Sequence, residues 1–127
     1  MDAVIYLDTH VVAWLYVPKL DSLSPAAKQV IEDSDLLISP MVTLELEYLH
    51  EIGRLTVGAH QVVQSLGAQL GLRTCDLDFP KIIDRALSEN WTRDPFDRII
   101  AAQAVVAGRP LVTRDETIQA NCPQAIW

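Results

Sequence analysis

Four acidic residues stand where an apolar run ends or where a helical pattern turns its apolar face inward: Asp8, Glu45, Asp97 and Asp115. Asp8 closes the run Ala3-Val4-Ile5-Tyr6-Leu7, and Asp115 follows a second run, Leu111-Val112-Thr113. On the helical period, Glu45 shares its face with Val42 and Leu49, whereas Glu47 aligns with Glu51 and Arg54 on a polar stripe. Asp97 heads the stripe Ile100, Ala101 and Ala104 in the same way. A carboxylate on an apolar face is costly unless it is paired or bound to a metal, so a solvated surface acid describes Glu47 better than Glu45.

Acids that converge repel one another: two unit charges about 5 Å apart cost roughly 3 kcal/mol at an effective dielectric of about 20. No lysine adjoins any of the four in sequence, so the neutralising charge must come from a bound cation. Oxygen-only ligation suits a hard ion, Mg2+ or Mn2+, rather than zinc. Such a cluster can hold the ion, activate water as nucleophile and neutralise charge on a phosphate during in-line displacement. Thr113, two residues before Asp115, faces the same side of its strand. It either positions a phosphate oxygen or water, or serves only as a β-favouring residue.

Plainer roles compete for several of these positions. Asp8 can be a helix N-cap or turn residue. Asp94 lies directly before Pro95, where an N-cap belongs, with accessory metal ligation as the second reading. Arg93, Arg98 and Arg114 adjoin the acids and either hold phosphates or are solvated charges. His10 either orients Asp8 or caps the following helix, while His50 and His60 read as surface residues. Cys75 and Cys122 have the spacing of neither a disulfide scaffold nor a zinc site and read as ordinary thiols.

The elements that must position these residues follow from the pattern. Residues 3–7 predict a strand buried on both faces, followed by a helix over about 11–16 that Pro18 halts. Ser24-Pro25 and Ser39-Pro40 are cap-plus-proline signals; they flank a short strand at 36–38 and open helices, the second over about 41–52 with Gly53 as its stop. Further helices are expected at about 58–70, 79–88 and 96–107, with Gly71 and Gly108 ending the first and last. Strands are expected at about 72–75, at 110–113 and, along an edge, at 125–127. Strands alternating with helices predict an α/β sandwich with a mostly parallel sheet.

At 127 residues the chain is expected to be one domain, residues 1–127. It is 50% apolar, has no apolar run approaching the roughly 20 residues of a membrane span, and starts with no basic segment, which predicts a cytoplasmic protein with no membrane partner. A net charge of −7 opposes a general electrostatic grip on nucleic acid. That objection weakens if the acids hold cations, which reverse the local field.

Leu7-Asp8-Thr9-His10 with Trp14, Thr43-Leu44-Glu45-Leu46, Arg93-Asp94-Pro95-Phe96-Asp97-Arg98 running into Ala101-Ala102-Gln103-Ala104, and Leu111-Val112-Thr113-Arg114-Asp115 resemble the PIN-domain ribonucleases. The resemblance is strongest to the VapC-type toxins of bacterial and archaeal toxin–antitoxin pairs and covers nearly the whole chain. It implies a three-layer α/β/α sandwich, Mg2+ or Mn2+ held by the acids, endonucleolytic cleavage of RNA, a homodimer, and inhibition by a VapB-like antitoxin. The family's acidic positions fall on Asp8, Glu45, Asp97 and Asp115, with Thr113 as the hydroxyl. His10 departs from the asparagine of many members. Two alternatives remain: a catalytically silent binding module of the same fold, and an aspartyl-phosphate phosphohydrolase. The latter would carry a second acid where His10 stands and a lysine near the site.

Overall fold

Five short apolar segments assemble into one parallel sheet. A computed structural model describes residues 3–127. The strands are β1 (Ala3–Leu7), β2 (Ser34–Ile38), β3 (Arg73–Thr74), β4 (Leu111–Val112) and β5 (Ala125–Ile126), in the spatial order β3-β2-β1-β4-β5. Every neighbouring pair runs parallel, with Ile5 opposite Leu36 on one side of β1 and Leu7 opposite Val112 on the other. Parallel neighbours require crossover connections, and helices supply them. The result is the expected α/β/α sandwich, built on α1 (Thr9–Tyr16), α2 (Pro25–Glu32), α3 (Pro40–Glu51), α4 (Ala59–Leu70), α5 (Phe79–Ala86), α6 (Pro95–Ala107) and α7 (Glu116–Asn121).

The core lies where these layers meet. Leu7, Ile38 and Leu111 from the sheet are fully buried with Val42 and Leu46 of α3, Val62 of α4, and Ala101 and Ala104 of α6. The small alanines let α6 pack closely, its backbone lying nearest to α5 and α3. Helix starts follow the polar-plus-proline signals: the Ser24 hydroxyl accepts from Ala27 N at 3.0 Å, and that of Ser39 from Met41 N at 3.1 Å. Gly71 and Gly108 end α4 and α6 in the left-handed region, at φ 71° and 65°, where a Cβ is disfavoured. Among the described residues no helix is long and apolar enough to cross a membrane.

Three features differ from expectation. Helix α1 begins at Thr9 because Asp8, not His10, is its N-cap. The short helix α7 was not foreseen; Asp115 caps it, and Ile118 is its buried anchor. Glu47 is not a solvated acid. It is partly buried and its Oε1 accepts from Ala59 N at 3.0 Å, supplying the cap that Gly58 lacks a side chain to provide. The α3·α4 junction therefore carries a long-range helix cap, and Glu47→Ala is expected to lower unfolding stability by about 1 kcal/mol. Urea denaturation checks this, with the exposed Glu51→Ala within about 0.5 kcal/mol of the parent.

Candidate active site

Order 3-2-1-4-5 reverses direction between β1 and β4, and clefts in open α/β sheets form beyond the carboxyl ends of the strands at such a point. The register of Leu7 opposite Val112 brings the next residues, Asp8 and Thr113, off the sheet side by side. Asp8 N donates to Val112 O at 3.0 Å, and the Thr113 hydroxyl donates to Asp8 Oδ2 at 2.7 Å. The Asp8 Oδ1 accepts from Thr9 N at 2.8 Å. Both side chains are buried, Asp8 at 6% exposure and Thr113 at 0%. Thr113 Oγ1 in turn accepts from Asp115 N at 3.0 Å, and Asp115 Oδ1 accepts from Ile118 N at 3.0 Å as it caps α7.

Glu45 arrives from α3. It is partly buried and accepts from the hydroxyl of the fully buried Thr9, which ties α3 to the β1–α1 junction. Sequence reasoning gave Thr9 no role, although a hydroxyl directly after a strand-end acid was the available signal. Asp97 sits partly buried in the first turn of α6. Asp94 is exposed and caps that helix, accepting from Phe96 N at 2.8 Å.

The electrostatics show that these acids lie within reach of one another. Burial, followed by the charges of Asp94, Asp8, Asp115 and Glu45, pushes the Asp97 carboxyl up to about 7. Burial raises Glu45 too; the Thr9 hydrogen bond opposes this and the Asp8 and Asp94 charges reinforce it. Asp8 is raised by burial against the opposing hydrogen bonds from Thr113 and Thr9. The ion pair among the described residues, Arg85–Glu89 at 3.2 Å, involves none of these acids. As the side chains stand, no three His, Cys, Asp or Glu among the described residues encircle one point closely enough to hold a metal ion. Oxygens of Asp8, Glu45 and Asp115 are turned instead toward the hydroxyl and amide donors just described.

The neighbouring cations divide. Arg98 donates to Ala86 O at 3.2 and 2.9 Å and to Leu87 O at 3.3 Å, closing the C-terminal end of α5, so it is structural. Arg93 donates to Asn90 O at 3.2 Å. Arg114 alone of the three lines the acid cleft, a space of about 370 Å³ walled by Asp8, His10, Trp14 and Asp115. His10 neither caps α1 nor bonds Asp8; its exposed ring lies 6.1 Å from that of Trp14. His50 is partly buried rather than a surface residue, with Nδ1 2.9 Å from Leu55 O. His60 is exposed and both cysteines are buried free thiols, as expected.

A family model of the PIN domain matches residues 5–122. The chain belongs to the PIN-domain family. This PIN domain is 31% identical over 131 residues to Ribonuclease VapC22 of Mycobacterium tuberculosis, covering 97% of the chain and 98% of that relative. Its fold is shared with the structure of VapBC2 from Rickettsia felis bound to a DNA fragment from their promoter, at TM-score 0.63 and 18% identity. A toxin–antitoxin complex from Klebsiella pneumoniae is similar at TM-score 0.65 and 20% identity. Both alignments cover 97% of this chain and 96% of the other.

Crowded acids make stability depend on pH. An aspartate near 3.8 when unfolded and near 7 when folded binds its proton more tightly in the folded state, so stability is fully present below about 4 and falls as pH rises through 7. Asp97→Asn removes the charge with little change of shape. It is expected to raise Tm at pH 8 and leave it nearly unchanged at pH 4, by thermal melts in metal-free buffer.

Proposed function

We propose that this PIN domain, residues 1–127, is a divalent-cation-dependent endoribonuclease acting as the toxin of a toxin–antitoxin pair. The observation that carries the reading is the group of uncompensated carboxylates, Asp8, Glu45, Asp97 and Asp115, beyond the β1 and β4 ends. Identity to a protein named a ribonuclease, over almost the full length of both chains, supports it.

By its chemistry the donor set fits a hard cation, which its carboxylates would gather round by turning from their present hydrogen-bond donors. Its oxygens are all carboxylate, the charges of the neighbouring acids raise Asp97 and Glu45, and no lysine or arginine pairs with them among the described residues. Asp8, Glu45, Asp97 and Asp115 would hold Mg2+ or Mn2+, with Asp94 as an accessory. When bound there, such an ion lowers the pKa of water and offsets charge on a phosphodiester undergoing in-line displacement. The remaining tasks fall to the chain. Thr113 and Thr9 aim Asp8 and Glu45 through hydroxyl donors that add no charge, so the cleft keeps its affinity for cations. Burial of Asp8 and Thr113 restricts water to the mouth of the cleft. Arg114, at that mouth, is suited to an RNA phosphate.

The same reading gives the protein a VapB-like antitoxin and a second copy of itself as partners, and a cytoplasmic place of action where RNA is its substrate. Exposed Leu44 and Tyr48 of α3 and its C-cap residue Ile52, each four residues from the next, supply an apolar face for such a partner.

Purified protein is expected to cleave structured RNA with Mg2+, to stop with chelator, and to lose about 10³-fold in rate on Asp8→Asn. RNA left intact under every condition would favour a catalytically silent binding module. Mg2+ at about 100 times its Kd should stabilise the fold by roughly 2.7 kcal/mol in thermal melts, and no shift would count against a cation site. Thr113→Val should weaken both cleavage and the Mg2+-induced shift, with Thr113→Ser restoring them.

A further inference from the structure

Trp14 walls two clefts. One is the acid cleft with Asp8, Arg114 and Asp115. The other, of about 490 Å³, is lined by Lys19 and Arg54 above the apolar side chains of Leu49 and Leu55. His10 and Trp14 are common to both, with ring centroids 6.1 Å apart, and the Arg114 guanidinium stands 5.9 Å from the Trp14 ring on the acid side. Lys19 and Arg54 are exposed and enter no ion pair among the described residues. In a chain of net charge −7, this cleft is lined by two cations and no acid.

Resting on the nuclease reading above, we propose that the second cleft is a subsite for a nucleotide flanking the scissile bond. Single-stranded RNA runs from the acids across the His10–Trp14 wall, sets a base against that wall, and brings its backbone phosphates to Lys19 and Arg54. Three observations point to a single strand. Unpaired bases present flat π-faces, which aromatic walls recognise, whereas duplex RNA keeps them stacked. A cationic channel beside aromatic rings is the general means of holding an unpaired strand. The two clefts adjoin, sharing His10 and Trp14, so a chain held in one extends readily into the other. Leu49 and Leu55 give the base an apolar lining, and the two cations add to the attraction that Arg114 offers a phosphate in the acid cleft.

The test measures binding of a labelled single-stranded oligoribonucleotide to the Asp8→Asn protein in Mg2+ over a range of salt. Cleavage by the unaltered protein is followed in parallel. The double variant Lys19→Ala/Arg54→Ala is expected to bind about tenfold more weakly and to flatten the slope of log affinity against log salt by about 1.4, as loss of two phosphate contacts requires. Lys81→Ala, an exposed cation on α5, should change neither. Trp14→Ala should weaken binding by a similar factor and Trp14→Phe should recover most of it. Because Trp14 also packs on the core, the two exposed cations are the deciding arm. An unchanged salt slope in the double variant overturns the proposal and leaves the cleft to a protein partner, and an equal loss in Lys81→Ala overturns it in favour of diffuse attraction. Failure of the unaltered protein to cut RNA defeats the nuclease reading; cutting with binding indifferent to Lys19 and Arg54 defeats only the subsite.

Discussion

The parallel pairing of β1 with β4 fixes everything at the cleft. Leu7 opposite Val112 is the last matched pair, and one residue further the chain must leave the sheet on both strands. A slip of one residue would turn Asp8 and Thr113 to opposite faces, because strand side chains alternate. Burial of Leu7, Leu111 and Val112 makes that slip prohibitive: it would exchange core side chains for polar ones. The hydrophobic core thus determines where the carboxylate stands, and the 2.7 Å hydrogen bond from Thr113 then determines which way it faces.

The support given to the acids is chemically consistent. Asp8 receives an amide and a hydroxyl, Glu45 a hydroxyl and Asp115 an amide. All are neutral donors that orient an oxygen without cancelling its charge. A cationic donor in the place of these hydroxyls and amides would leave less negative potential in the cleft. The fold therefore retains a group of carboxyls that burial and mutual repulsion disfavour, the local cost expected where binding rather than stability is served.

Features encoded locally could be read from the sequence. The buried run before Asp8, the cap-plus-proline pairs at Ser24, Ser39 and Asp94, and the glycine stops at Gly71 and Gly108 each depend on residues within a turn or two. The positions of Glu45 and Asp97 followed from helical period alone. What escaped notice depends on partners far along the chain. Glu47 looks solvated by period, yet caps a helix starting at Ala59; Arg98 looks like a phosphate ligand or a solvated charge, yet closes α5; Thr9 carries no assigned role, yet bonds Glu45. Helix α7 was missed for a different reason. Asp115 reads as a site acid, which hides its second role as a cap.

Asp8 and Thr113 come from opposite ends of the chain, and β4 reaches β1 only after every intervening helix has been laid down. A chain emerging from the ribosome presents Asp8, Glu45 and Asp97 well before Thr113 and Asp115 exist. Assembly of the cleft therefore follows the direction of synthesis: its first acid is laid down early, and the hydroxyl that aims it is supplied only once β4 has been made.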